Sequence, residues 1–345
     1  MTEINLMDLD LPAAEELMES LGEPKYRGKQ LVTWTLQKGS HTIEDMTDLG
    51  KHLRRKLGEI AHLQRVELVT QQVSETGTIK FLFRLADGEA IESVFMPHEY
   101  GNSVCVSTQV GCKMGCTFCA STIGGMVRDL TAGEIYDQVL TIQQATGQRV
   151  GSIVLMGAGE PLDNYDNCIK FIRMISAPYG LNIGVRHITL STCGWVPGIR
   201  KLAQEGLQIT LSISLHAPND QMRSQVMPVN KKYGIQELMQ ACQEYISITN
   251  RRISFEYSLI HGVNDSIETA QELGELLKGM LCHVNLIPVN AVTERGWEKP
   301  PHRQIEKFKG VLARMGIETT VRREMGADID AACGQLRRKM LRDQE

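Results

Sequence analysis

The chain has 345 residues, 42% hydrophobic and 23% charged, with a formal net charge of −4. That is the make-up of a globular chain long enough for one large α/β domain plus a small accessory unit. No apolar run reaches the roughly 18 residues of a membrane span, and the acidic start, MTEINLMDLDLPAAEEL, lacks the basic and apolar regions of a signal peptide. A cytoplasmic protein is therefore expected. The net charge does not advertise a nucleic-acid binder, but local basic patches, not the total, decide phosphate binding.

In chain order, residues 11–60 read as helical, with Leu17, Leu21, Leu31, Trp34 and Leu36 at spacings that form an apolar face. The segment KHLRRKLGEI, 51–60, turns Leu53 and Leu57 inward and leaves Lys51, Arg54, Arg55 and Lys56 as a solvated face or a phosphate-contacting one. Residues 78–97 read as a β-hairpin turning at Asp87-Gly88, and Pro97 marks a domain boundary. From about residue 103, strands alternate with helices. The expected strands are Val104–Thr108, Ser152–Met156, His187–Ser191, Gln208–Leu215, Ile253–Ile260 and His283–Pro288, and Ile317–Arg322 adds a seventh candidate. GEIYDQVLTIQQAT and TAQELGELLKGM are among the intervening helices. Six such units predict an α/β fold whose parallel sheet curls into a partial barrel, with functional residues at the C-terminal ends of the strands. The division expected is 1–60 helical accessory, 61–97 hairpin extension, 98–328 barrel and 329–345 a C-terminal segment.

Nine cysteines in such a chain point to metal or redox chemistry and not to a disulfide framework. Three of them stand in GCKMGCTFC, residues 111–119, directly after the first expected strand. Cys112, Cys116 and Cys119 can ligate three irons of a 4Fe–4S cubane. The fourth iron then stays open to the amino and carboxylate groups of S-adenosylmethionine, and electron transfer from the cluster cleaves that cofactor to a 5′-deoxyadenosyl radical. A structural zinc site is the competing reading, but zinc usually closes with four ligands, often two Cys-x2-Cys pairs. Gly111 and Gly115 let the backbone turn around the metal.

Polar groups follow the other strands. MGAGEPLDN, 156–164, offers close backbone approach at Gly159 and a carboxylate, Glu160, for the cofactor's ammonium; a plain Gly-Pro turn is its bland alternative. Ser191 in STCG, Ser214-Leu215-His216 in SISLHAP and Asn290 in IPVN each close an expected strand, and together they can form a cofactor cradle. Cys105 lies seven residues before Cys112. Cys333, among Ala331, Ala332 and Gly334, reads as a loop cysteine whose spacing alone does not assign it a catalytic role. Cys168, Cys193, Cys242 and Cys282 read as small buried hydrophobes.

GCKMGCTFC with GEP, STCG, SLHAP, IPVN and DIDAACGQL, together with YRGKQL, QKG and MTDLGKHLR near the N-terminus, resembles the RlmN/Cfr family of radical S-adenosylmethionine RNA methyltransferases over nearly the whole chain. Pro161 after Glu160 favours the RlmN branch, since Cfr proteins tend to have Ala there. GAGEP stands where GMGEP is common, a departure that leaves the cofactor role intact.

The resemblance implies a radical-SAM partial (βα)6 barrel with Cys112, Cys116 and Cys119 as cluster ligands, and two S-adenosylmethionine molecules per turnover. It implies that one cofactor methylates Cys333 and the second generates the radical that takes a hydrogen from this methyl group. The resulting carbon radical adds to adenine. Cys105 then attacks the Cys333 sulfur, leaving a disulfide and releasing methylated RNA, and Glu92 takes the position of the proton acceptor. Adenine C2 is electron-poor, so polar methyl transfer is unpromising there and radical addition avoids the problem. The implied substrates are an adenosine of 23S rRNA and one in tRNA, the implied reductant is a flavodoxin or ferredoxin, and a monomer is expected. The basic helix and Arg337, Arg338, Lys339 and Arg342 are expected to touch the RNA backbone. The alternatives are C8 methylation, a radical enzyme acting on a peptide, and a zinc-stabilised RNA-binding module.

Overall fold

The computed structural model describes residues 4–289, 296–322, 328–329 and 336–337. The N-terminal unit is clasped by a two-stranded parallel ribbon, β1 (Ile4–Asn5) against β2 (Ala61–His62). The expected continuous helical stretch is divided between them. Helix Leu11–Ser20 starts on the Asp10 side chain, which accepts from the Ala13 N–H at 3.0 Å. Tyr26–Val32 runs on into a π-helical stretch, Thr33–Lys38, that Gly39 ends with φ +64°. Lys51–Ile60 buries Leu53 and Leu57, as the periodicity predicts.

The main sheet has ten strands: β3 (Glu67–Val73), β4 (Ile79–Arg84), β5 (Ala90–Met96), β6 (Asn102–Cys105), β9 (Val150–Leu155), β10 (Ile188–Thr192), β11 (Thr210–Ser214), β12 (Ile253–Leu259), β13 (Cys282–Pro288) and β14 (Thr319–Val321). A separate antiparallel pair, β7 (Gln109–Gly111) with β8 (Met126–Asp129), brackets the cysteine loop. In the ten-stranded sheet each strand lies beside its sequence neighbour. From β6 to β14 all pairings are parallel, joined through helices, which is the predicted six-unit α/β arrangement with the extra seventh strand.

The expected hairpin corresponds to β4 and β5, but it is part of a larger element. Strand β3, absent from the sequence-based expectation, pairs with β4, and β5 pairs antiparallel with β6. Pro97 thus falls between two strands of one sheet. β3 escaped notice because most of its residues are exposed and its alternation is broken by an irregularity between Leu68 and Thr70. The first barrel strand is also shorter than expected: regular pairing covers Asn102–Cys105, after which the chain continues extended, with Val106 donating to Val154 O.

Helix Ala132–Thr146 links the parts. It opens with a reciprocal cap: Glu134 N–H donates to Thr131 Oγ1 and Thr131 N–H to Glu134 Oε2. Gly133 N–H donates to Asp8 Oδ1 at 2.7 Å, and a Cβ at Gly133 would come within 2.8 Å of that oxygen and of Met7 backbone. Only glycine lets the N-terminal unit approach so closely. One turn on, buried Asp137 takes Arg65 Nε at 2.5 Å and the Val66 N–H at 2.6 Å, tying the start of the antiparallel strands to the same helix. Burial pushes the Asp137 carboxyl up, opposed by the Arg65 charge.

Candidate active site

Strand register decides which side chains share a face. Val94 of β5 pairs with Cys105, Cys105 with Val154, Thr189 with Val154, Ser191 with Ser212, and Ser214 with Glu256. Side chains alternate along each strand. Glu92, Cys105, Ser191 and Ser214 therefore lie on one face of the sheet, on four different strands. The intervening residues, among them Phe95, Val104, Leu190, Ile213 and Phe255, are fully buried in the main hydrophobic core on the opposite face. That face is the helix-covered one; Ser93, for example, donates to Gln138 of helix Ala132–Thr146.

The cysteine loop leaves the end of this sheet after β6 and β7. Gly111 has φ +78°, and a Cβ there would collide with Gly125 O, so the turn into Cys112 requires glycine. Cys112 N–H donates to the same carbonyl at 2.9 Å. Thr122 Oγ1 donates to the carbonyls of Cys116 and Cys119, closing the loop on itself. Contacts from outside hold it, among them Thr117 N–H donating to Val226 O at 3.0 Å, Trp297 Nε1 donating to Thr117 O at 3.3 Å and Lys113 Nζ pairing with Asp163 at 2.8 Å. Cys112 and Cys116 are buried and Cys119 is half-buried. Burial first, then the neighbouring acidic groups, pushes the Cys112 thiol up to about 12, and burial raises Cys116 as well. Positive metal must replace these protons for the thiolates to form.

A cluster takes each thiolate on a separate iron and a three-cysteine loop leaves one iron open, whereas zinc usually closes with four ligands. The hydroxyls of Thr108, Thr117 and Ser121, on or beside this loop, are buried without a protein partner. Unpartnered buried donors here suit a bound group carrying acceptors. The residues therefore fit a three-cysteine 4Fe–4S cluster with S-adenosylmethionine beside it.

The loop after β9 folds back on the cysteine loop's own strand. Gly159 has φ +112°, and a Cβ there would lie 2.7 Å from Thr108 Oγ1. Glu160 is buried, and both oxygens are engaged: Oε1 accepts from Leu162 N–H at 3.0 Å and Oε2 from Cys193 N–H at 2.7 Å. Burial pushes its carboxyl up while the Cys193 N–H works the other way. Glu160 thus pins the loop after β9 to the STCG loop after β10. His216, just past β11, has φ +60°, accepts the Ser258 N–H on Nδ1 at 2.9 Å and meets the Phe118 ring edge-on at 4.7 Å. Burial and the Arg223 charge hold it down at about 3, so it is neutral. Leu215 is fully buried, its N–H donating to Glu256 O.

Around Glu92 a second polar centre forms. Its Oε2 lies 2.8 Å from Lys80 Nζ, both side chains being buried. Its Oε1 accepts the Arg337 N–H at 2.5 Å, and Arg337 also reaches Glu89 at 2.9 Å. Leu336 packs on Leu82 and Ala90. Asp328 makes contacts with the Ser74 hydroxyl and with the Glu75 N–H. The described parts of the C-terminal segment on both sides of Cys333 therefore sit on the antiparallel strands. Cys333, Asn290, Arg338, Lys339 and Arg342 themselves lie outside the described residues. Cys105 is buried beside Val94 and Met96.

Sequence reasoning missed Arg223, Lys80 and Gln138. Arg223 is fully buried in the short helix Asp220–Val226, where an Arg among polar residues reads as a solvated face. Lys80 alternates with apolar neighbours just as an exposed strand residue would. Gln138 donates to Ser107 O and accepts from Ser107 N–H and Ser93 Oγ, tying β5 to the chain beyond β6. The basic helix differs from expectation in part. Lys51 and Arg55 are exposed, though Arg55 lies 3.4 Å from His52 Nδ1, and Lys56 donates to Leu21 O and Arg54 to Glu44 O, so that part of the basic face is engaged within the chain.

Comparison with known proteins agrees with this geometry. Residues 106–273 match the radical SAM superfamily, and residues 4–63 match the ribosomal RNA large subunit methyltransferase N-terminal domain. The protein named "Probable dual-specificity RNA methyltransferase RlmN" in Desulforamulus reducens is 56% identical over 97% of this chain and 96% of its own length. Its namesake in Pelotomaculum thermopropionicum is 57% identical over 98% and 92%. A crystal structure of a radical SAM methyltransferase from Sphaerobacter thermophilus, 43% identical, superposes with a TM-score of 0.91 over 96% of this chain and 98% of that one. No helix among the described residues is long and apolar enough to cross a membrane. With its cysteine loop, its strand-end rim and near full-length identity to these relatives, the chain belongs to the RlmN family of radical S-adenosylmethionine RNA methyltransferases.

Proposed function

We propose that this enzyme methylates C2 of an adenosine in 23S rRNA and of one in tRNA, through a methyl group carried on Cys333. The observation that carries the reading is the shared face: Glu92 and Cys105 lie on it, Arg337 of the C-terminal segment binds Glu92, and the cysteine loop springs from the Cys105 strand. When bound, the 4Fe–4S cluster held by Cys112, Cys116 and Cys119 and its S-adenosylmethionine supply a 5′-deoxyadenosyl radical. Gly159, Glu160, Ser191, Ser214, Leu215, His216 and Asn290 form the rim that holds and orients that cofactor. Cys333 carries the carbon to the base and is the protein end of the covalent link. Glu92 accepts the proton that C2 gives up, and the unpaired electron of the adduct would return to the oxidised cluster, so that the ring regains a closed shell before the disulfide forms. The Cys105 thiolate then attacks the Cys333 sulfur; an S–S bond forms and the C–S bond breaks, its electron pair staying on the RNA carbon, which takes up a proton. A thiol reductant restores both cysteines between turnovers, as a reducing cytoplasm would. The protein acts as a monomer, and a flavodoxin or ferredoxin supplies the electron.

A single-turnover experiment with trideuteromethyl S-adenosylmethionine and anaerobically reconstituted protein tests this. Two deuterons retained on adenine C2, a methyl group on Cys333, and no product from Cys333→Ala support the relay. An intact trideuteromethyl group on RNA, or full activity of the variant, overturns it.

A further inference from the structure

Arg223 is a fully buried cation whose hydrogen bonds all go to neutral groups. Nε donates to Leu215 O at 3.1 Å, one terminal nitrogen to Asn230 Oδ1 at 3.0 Å, and the other to Cys193 O at 2.6 Å and Ser214 O at 3.2 Å. Among the described residues it has no ion pair. Asp220 makes no direct bond to it: Asn230 stands between, its amide donating to Asp220 Oδ1 at 2.9 Å, and the Asp220 charge acts on Arg223 from beyond contact. Taking a charge out of water with no counter-charge in contact is costly, and carbonyl dipoles with one carboxylate beyond contact offset only part of that cost.

The position of this cation names its compensation. Arg223 sits on helix Asp220–Val226, and the last residue of that helix accepts the N–H of Thr117, between Cys116 and Cys119. Its guanidinium also bridges the ends of β10 and β11, where the cofactor rim lies. Three thiolates with a 4Fe–4S cluster carry a net negative charge, and reduction adds another. We propose that Arg223 is the internal counter-charge of the cluster: it stabilises the loaded, and above all the reduced, site and locks two strand ends of the rim in register with it. This rests on the reading that Cys112, Cys116 and Cys119 hold the cluster. Arg223 touches neither substrate nor reacting atoms; it is a positioning residue with an electrostatic role.

The test compares wild type, Arg223→Gln and Arg223→Lys, each measured as apoprotein and after anaerobic reconstitution. Iron content and the cluster's electron paramagnetic resonance signal first check the underlying reading; a wild-type protein that binds no cluster overturns that reading, not this one alone. With clusters present, the one-electron midpoint potential without S-adenosylmethionine is measured by redox titration, and the rise in melting temperature on cluster loading is measured by calorimetry. The expected result for Arg223→Gln is about a tenfold loss in the reduction equilibrium, about 59 mV toward negative potential for a one-electron couple, and a smaller thermal gain on loading. Arg223→Lys restores both in large part, because it keeps the charge. Unchanged potential and loading gain in Arg223→Gln, with apoprotein and loaded protein destabilised equally, would make Arg223 a purely structural tie and overturn the proposal. A defect confined to S-adenosylmethionine affinity would overturn it as well, placing the charge with the cofactor's carboxylate instead.

Discussion

The two faces of the ten-stranded sheet are built from alternate residues of the same strands, yet they answer to different demands. The helix-covered face is almost wholly apolar: Phe81, Phe83, Phe95, Ile153, Leu211, Phe255 and Leu286 are all at 1% exposure or less. The other face carries Lys80, Glu92, Cys105, Ser191, Ser214, Glu256 and Asn285, and its charged members bond to partners on the face or to the segment that closes over it. Glu256, for instance, accepts from Ser212, Ser254 and Asn285. The first face supplies folding energy and the second spends some of it to keep charges and thiols in place. Substitutions one residue apart should therefore separate stability from chemistry, with the exceptions at buried charges.

The largest effect should come from the cysteine loop. Cys116→Ala is expected to lose the cluster, measured as iron and as visible absorbance, and to abolish methylation while the rest of the fold keeps its circular dichroism. Next comes Glu92→Gln, which blurs the division between faces. It should lower turnover about a hundredfold by removing a proton acceptor, and it leaves the buried Lys80 ammonium without its partner at a cost of about 3–5 kcal/mol. The double variant Lys80→Met with Glu92→Gln should recover most of that stability in denaturant titration but none of the turnover. If the double variant regains activity, Glu92 is structural only. On the covered face, Phe255→Ala should cost about 3–5 kcal/mol and leave S-adenosylmethionine affinity unchanged in the protein that remains folded.

The smallest effect is one of pH. His216 is held down at about 3 when folded, against an unfolded value near 6.5. The unfolded chain therefore binds a proton that the folded chain refuses. Its contribution is complete above about pH 6.5 and is lost as pH falls from there toward 3, at about 1.4 kcal/mol per pH unit. His216→Asn, which keeps an acceptor for the Ser258 N–H and tolerates positive φ, should flatten the slope of stability between pH 6.5 and 5 without removing the plateau.

Much of this division was legible in the sequence. Alternation marked the covered face of β4 and β5, and the strand-helix rhythm marked the six parallel units. The motifs at strand ends work because a parallel βα sheet delivers each strand's end to one rim. What was not legible was reciprocal. Glu160 reads as a free acceptor, but its oxygens are occupied by Leu162 and Cys193 N–H groups that only the folded rim brings near. Arg223 and Lys80 carry no local sign of burial, because pattern cannot reveal the acceptors that other segments bring to a buried cation. Strand β3 was hidden by exposure, since a strand at a sheet edge with little buried area has no apolar period to show.

The bond from the Trp297 indole to Thr117 O also makes the protein its own gauge. The chain has three tryptophans, and this one is tethered to the loop between the second and third cysteines of the triplet. An iron–sulfur cluster absorbs where indole emits, so a cluster held on Cys112, Cys116 and Cys119 would dim the emission of that ring before any RNA is added. The same ring, freed if the loop swings away from Val226, would brighten and shift to longer wavelength. Cluster content and loop attachment are thereby readable in one anaerobic cuvette, from light the unlabelled protein already emits.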